Sequence, residues 1–159
     1  MNELIELFAG LYNVNTDPDE LLDLVDLREK KNSKFKELSG GQKQRFSICT
    51  TLINDPKLIF LDEPTTGLDP QARRNLWELI KRIKAKGTTI MLTTHYMDEA
   101  EILCDRVGII DHGKIITIDS PDNLIDDLVR SGFERPKQVK PASLEDVFIN
   151  LTGHGIREA

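Results

Sequence analysis

Three short clusters in this sequence carry residue types suited to phosphate chemistry. The apolar run Leu58-Ile59-Phe60-Leu61 ends in two acids, Asp62 and Glu63. The β-branched run from Thr88 to Thr94 ends in His95. Leu38-Ser39-Gly40-Gly41-Gln42 places two glycines ahead of Phe46, Cys49 and Ile53, which recur at helical spacing. In open parallel sheets, ligands bind outside the carboxyl ends of the strands. The first two clusters therefore deliver two carboxylates and an imidazole to the edge where sites form. A hard cation such as Mg²⁺ takes oxygen ligands, commonly one or two carboxylates plus substrate phosphates. A second carboxylate beside it can orient or deprotonate a water. The glycine pair opens backbone N–H groups at a helix start, which is a ready anion site.

Each cluster also has a plain structural reading. An acid at a strand end can cap the following helix, and Asp69 before Pro70 reads as such a cap. A single histidine is more often hydrogen-bonded for structure than used for catalysis. Ser39 with Gln42 fits an S-x-x-Q capping box. Capping alone does not ask for two consecutive glycines, which weaken the first turn of a helix. That tips the Ser39–Gln42 cluster toward phosphate binding.

The elements that must position these residues follow from periodicity. Leu4, Phe8 and Leu11 predict a helix near the start, and Asp17-Pro18-Asp19-Glu20 begins another that Leu21, Leu24, Val25 and Leu27 carry onward. Leu58–Leu61, bounded by Asp55-Pro56 and Pro64, reads as a strand buried on both faces. Asp69-Pro70 starts a helix with Leu76, Ile80 and Ile83 on one side, ending near Gly87. The second strand spans Thr88 to Thr94, followed by a helix from about Tyr96 to Leu103. A third strand, Arg106 to Asp111, turns at His112-Gly113 into a fourth, Lys114 to Asp119. Ser120-Pro121-Asp122 opens a helix to about Arg130. A loop covers Arg135 to Lys140, and Ser143 with Asp146 opens an amphipathic helix bearing Leu144, Val147, Phe148 and Leu151. Alternating strands and helices predict an α/β fold with a mainly parallel sheet.

The chain has 159 residues, 39% of them hydrophobic and 30% charged, with a formal net charge of -6. That is globular composition, and an acidic balance argues against a nucleic-acid partner. No apolar run approaches the ~20 residues that span a bilayer, and Glu3 and Glu6 interrupt any signal peptide. Two cysteines, Cys49 and Cys104, form no metal-like pair and read as buried thiols of a reduced, cytosolic protein.

Leu38 to Arg45 (LSGGQKQR) resembles the signature motif of ABC ATPases, and Leu58 to Glu63 (LIFLDE) resembles their Walker B strand with its catalytic glutamate. Thr66-Gly67-Leu68-Asp69 is similar to their D-loop, with glycine at position 67 where another small residue is more usual. His95 stands where the switch histidine belongs. All four motifs keep family order and spacing between Leu38 and His112. The tail from Ser143 to Gly153 resembles, more weakly, the end of exporter ATPases that serve ABC-2 permeases.

This resemblance implies a P-loop NTPase fold and hydrolysis of ATP with Mg²⁺. Asp62 would hold the metal, mostly through water; Glu63 would polarise the attacking water, and His95 would contact the γ-phosphate. Ser39, Gly40, Gly41 and Gln42 would meet a nucleotide held by a second ATPase subunit in a head-to-tail dimer, and Asp69 would link the two sites. An integral membrane permease would be the other partner, placing the chain on the cytoplasmic, inner face of the cell membrane. The implied division is a helical subdomain over 1–54, an incomplete ATPase core over 55–119 and a helical tail over 120–159.

No G-x-x-x-x-G-K-[ST] occurs in the 159 residues. On the resemblance the chain begins just after the Q-loop, so the Walker A strand is absent and the isolated chain is expected to be inactive. The family sheet would be left with a gap that the chain closes by repacking or by pairing with another chain. A competing expectation is a non-catalytic module that binds a permease or a full-length ATPase. A soluble ABC ATPase of DNA repair or translation is a third, disfavoured by the short span before Leu38 and by the acidic balance.

Overall fold

A computed structural model describes residues 1–133. Among them six α-helices and four strands follow one another: α1 (Asn2–Tyr12), α2 (Pro18–Leu24), α3 (Gly40–Thr51), β1 (Leu58–Asp62), α4 (Pro70–Ala85), β2 (Thr89–Thr93), α5 (Met97–Leu103), β3 (Val107–Asp111), β4 (Lys114–Asp119) and α6 (Pro121–Arg130). The chain divides into two compact units, Met1–Pro121 and Asp122–Ala159. In the second, α6 is the described element. The expected loop over Arg135–Lys140 and the helix from Ser143 lie outside the described residues.

The first unit is built around α4. Its cap is Asp69, whose Oδ1 accepts hydrogen bonds from the amides of Gln71 and Ala72, with Pro70 preset for the first turn. Leu76, Leu79, Ile80 and Ile83 fall on one stripe and are fully buried. One core cluster joins that stripe to Leu22, Val25 and Leu27 from the α2 region, Ile48 and Cys49 from α3, and Ile59 and Leu61 from β1. Two arginines tie α2 to its neighbours. Arg45 of α3 donates to the carbonyls of Val25 and Asp26, and Arg82 of α4 donates to the carbonyl of Leu24 and to the Asp26 carboxylate. They meet the carbonyls that a helix end leaves without intrahelical donors.

Strand positions match the expected ones within a residue, but several expectations change. α2 stops at Leu24, because Asp26 takes a left-handed φ of 54°, and Leu27 enters the core from beyond the turn. On α1 the buried residues are Ile5 and Ala9, while Leu11 is exposed. β1 is covered on one face alone. Ile59 and Leu61 are buried, whereas Leu58 and Phe60 face outward, since helices pack on a single side. The predicted strand buried on both faces is therefore corrected to a half-covered one.

The sheet is also divided. β1 and β2 pair in parallel, with Asp62 opposite Thr93, and β3 and β4 form a separate antiparallel hairpin. Within the described residues β2 and β3 do not join.

Candidate functional site

β1 and β2 run side by side and finish together, so their carboxyl ends hold one cluster. Asp62 ends β1 in register with Thr93. Thr93 Oγ1 donates to Asp62 Oδ1 and accepts from the Glu63 amide at 3.2 Å. The same amide donates to the Thr93 carbonyl at 3.1 Å. These bonds hold Glu63 at φ 43°, a left-handed backbone that side chains other than glycine seldom adopt. The turn swings the Glu63 carboxylate back across the strand ends. There Oε2 accepts from Thr66 Oγ1 at 3.0 Å, and Oε1 lies 3.3 Å from His95 Nδ1. All three predicted residues, Asp62, Glu63 and His95, are thus gathered at one exposed edge. An exposed carboxylate with one oxygen held by a hydroxyl keeps its other oxygen open, which suits a divalent cation carried largely by water and phosphate. No cluster of three or more potential metal ligands occurs among the described residues.

The Ser39 cluster forms a helix start. Ser39 Oγ accepts from the Gln42 amide at 3.3 Å, and Gln42 Oε1 accepts from the Ser39 amide at 2.9 Å. This is the reciprocal capping box that the sequence offered as the plain reading. The glycines divide in purpose. A Cβ on Gly41 would lie 3.0 Å from the Ala72 Cβ, so glycine there eases the approach of α3 to α4. Gly40 meets nothing within 4 Å, and packing does not explain it. Packing thus gives a reason for Gly41 and none for Gly40. Asp69 is occupied as the α4 cap, and Gly67 before it sits at φ 76°, where glycine is free of strain.

Sequence reasoning missed four residues here. Thr93 and Thr66 orient the two acids; Thr66 stands in the D-loop motif with no role read for its hydroxyl, and Thr93 offered only its β-branched composition. Tyr96 packs its ring 4.2 Å from that of His95, and Arg73 lies 4.3 Å over the Tyr96 ring. A separate open groove of about 360 Å³ is lined by Phe8, Tyr12, Thr50, Thr51, Pro56, Leu58, Ile59 and Phe60, and includes none of the site residues. Neither thiol belongs to the cluster. Burial pushes the Cys49 thiol up to about 12 and raises that of Cys104.

The sequence profile of the ABC transporter family matches residues 4–66. The chain is 42% identical over 134 residues to the Nod factor export ATP-binding protein I of Rhizobium etli, covering 81% of this chain and 42% of that protein. To the protein of that name from Cupriavidus pinatubonensis it is 48% identical over 185 residues, covering 87% and 57%. The chain spans about half the length of these relatives. Among solved structures, an ATP-binding cassette of an ABC transporter superposes with a TM-score of 0.64 at 26% identity, over 76% of this chain and 51% of that one. The cbiO1 protein of Clostridium perfringens, part of the ABC transporter complex cbiONQ, gives 0.64 at 30% identity, over 78% and 53%. On sequence and fold together, the chain belongs to the ABC transporter family as part of an ATP-binding domain.

Proposed function

We propose that this chain carries the water-activating side of a nucleotide site in the ATP-hydrolysing subunit of an ABC exporter. The observation that supports it is the meeting of Asp62, Glu63 and His95 at the ends of two parallel strands, with His95 Nδ1 3.3 Å from Glu63 Oε1. Bound ATP with Mg²⁺ would supply a γ-phosphorus open to in-line attack by water, a reaction helped mainly by positioning and charge stabilisation. Asp62 would hold the metal through water, because Thr93 fixes one oxygen and leaves the other free. Glu63 would take a hydrogen bond from the attacking water and steer it. Its contact with His95 is then exchanged, freeing the imidazole for the phosphate.

Ser39, Gly40, Gly41 and Gln42 would face the γ-phosphate of a nucleotide on a second ATPase subunit, with Asp69 joining the two sites across a head-to-tail dimer. Gly40 supports this most directly, since no neighbour demands its lack of a side chain. The names of the relatives support an exporter, with the chain at the inner membrane face beside a permease. No helix among the described residues is long and apolar enough to cross a membrane itself. Functionally, residues 1–54 would form the helical subdomain, 55–119 the catalytic core and 120–159 a tail.

The 159 residues contain no phosphate-cradling loop, so on their own they would neither hold ATP tightly nor turn it over. Titration of the chain with a fluorescent ATP analogue and Mg²⁺ tests this, and no saturable binding is expected. Micromolar binding abolished by Asp62→Asn would overturn it. A second reading, a non-catalytic module for a permease or a full-length ATPase, draws on the exposed Leu7, Leu11 and Tyr12 of α1. Capture of such a partner that survives Glu63→Gln but fails with Leu11→Asp would favour that module.

A further inference from the structure

We propose that Arg73 and Tyr96 are positioning residues for His95, carrying the seating of the first turn of α4 into the orientation of the imidazole. The proposal deepens the reading of His95 as part of a nucleotide site and rests on it for its functional meaning.

The geometry begins on α4. Arg73 and Trp77 stand four residues apart, so they share one face of that helix. They meet two residues three apart at the start of α5. The Arg73 guanidinium lies 4.3 Å over the Tyr96 ring, and Trp77 Nε1 donates to Glu99 Oε1 at 2.9 Å. Glu99 is fully buried, and the second rung therefore locks α5 against α4. The first rung leads to the site. Arg73 is partly buried, and among the described residues its Nε has no hydrogen-bond partner while its guanidinium faces the Tyr96 ring. A cation over an aromatic face is held more firmly as water is excluded. Tyr96 in turn packs its ring at 4.2 Å from His95, and its amide donates to Thr94 Oγ1 at 3.0 Å, which fixes the backbone beneath the pair.

The other end of this line reaches the glycine cluster. The Arg73 amide donates to the Asp69 carbonyl at 2.9 Å, within the capped first turn. Its neighbour Ala72 stands 3.0 Å from where a Cβ on Gly41 would lie. A shift of the α3 start toward α4 would therefore press on the turn that carries Arg73. From Arg73 the path runs through Tyr96 and His95 to Glu63. Neither Arg73 nor Tyr96 need touch nucleotide; each acts by holding the imidazole.

The test reads the imidazole itself, in the full chain, from the C–H resonances of His95 in isotope-labelled protein. Tyr96→Leu is expected to shift the His95 signals by removing the neighbouring ring current, while Tyr96→Phe keeps them near their original place. Arg73→Ala is expected to shift them as well, although Arg73 acts only through Tyr96, and Arg73→Lys to bring them part of the way back. His112, exposed at the β3–β4 turn, is the internal control and should hold still. If Arg73→Ala loses its dispersed amide spectrum, Arg73→Gln takes its place. His95 signals unmoved by either Arg73 variant would overturn the role of Arg73, and signals unmoved by Tyr96→Leu would overturn the whole line. A failure of the nucleotide reading would leave these shifts as expected, so the two ideas fall separately.

Discussion

The helices around α4 and the strands beside them obey opposite rules of burial. On α4 every large apolar residue of the inward stripe is covered, and α2, α3 and one face of β1 close over it. On the strands, residues with the same chemistry stand in the open: Phe60 is 68% exposed, Met91 60% and Ile110 68%. Ile115, Ile116 and Ile118 of the hairpin are exposed too. The hydrophobic effect is the same per unit area in both regions, so the difference lies in which partners are present. Helices bury a stripe against one neighbour. A sheet in an α/β layer needs cover on two faces, and the described residues supply one for β1 and β2 and neither for the hairpin. The candidate site sits on the seam between the two regions, its acids and histidine at strand ends and its positioning residues on helices.

The sharpest test of this contrast truncates one apolar side chain in each region. Leu79→Ala, in the covered stripe, should cost about 2–5 kcal/mol in urea unfolding, the range for deleting a buried leucine side chain. The next effect is one of pH. Burial raises the Cys49 thiol from its ordinary 9.0 to about 12 in the folded chain. The unfolded thiol then loses its proton first. The stability this group contributes is complete below about pH 9 and falls as pH rises toward 12, by up to about 1.4 kcal/mol per pH unit. Urea midpoints between pH 8 and 10.5 should fall less steeply in Cys49→Ala than in the original; equal slopes would mean that Cys49 is not sealed. Asp69→Ala, which removes the α4 cap, should cost about 1 kcal/mol. A loss several times larger would indicate that α4 nucleates more of the fold than its packing suggests.

The smallest effect is expected on the open face. Phe60→Ser should change stability by less than about 0.5 kcal/mol while lowering aggregation, because the ring is already in water. A cost comparable to that of Leu79→Ala would break the comparison, since it would require cover over Phe60 in solution.

Much of the local architecture was legible beforehand. Asp69-Pro70 and the spacing of Leu76, Ile80 and Ile83 announce α4, because a cap, a proline at the first turn and a stripe all act within the helix itself. His112-Gly113 announces the hairpin for the same reason, both residues taking positive φ in the turn. Ser39 with Gln42 announces the capping box. These are interactions between residues close in sequence, so the sequence determines them alone. It also determined the family, through motifs whose order survives any detail of packing.

The tertiary structure decided the rest. A strand such as Leu58–Leu61 reads alike whether one face or both are covered, and only the positions of neighbours leave Phe60 outside. Nothing in the sequence tells that Gly41 also faces packing, a Cβ there lying 3.0 Å from that of Ala72. Thr93, Tyr96 and Arg73 carry no motif of their own. They matter because β1 and β2 end side by side and α4 packs on α5, which are contacts between residues some twenty to thirty positions apart. Periodicity reports what a segment wants to bury; three-dimensional adjacency decides what it meets.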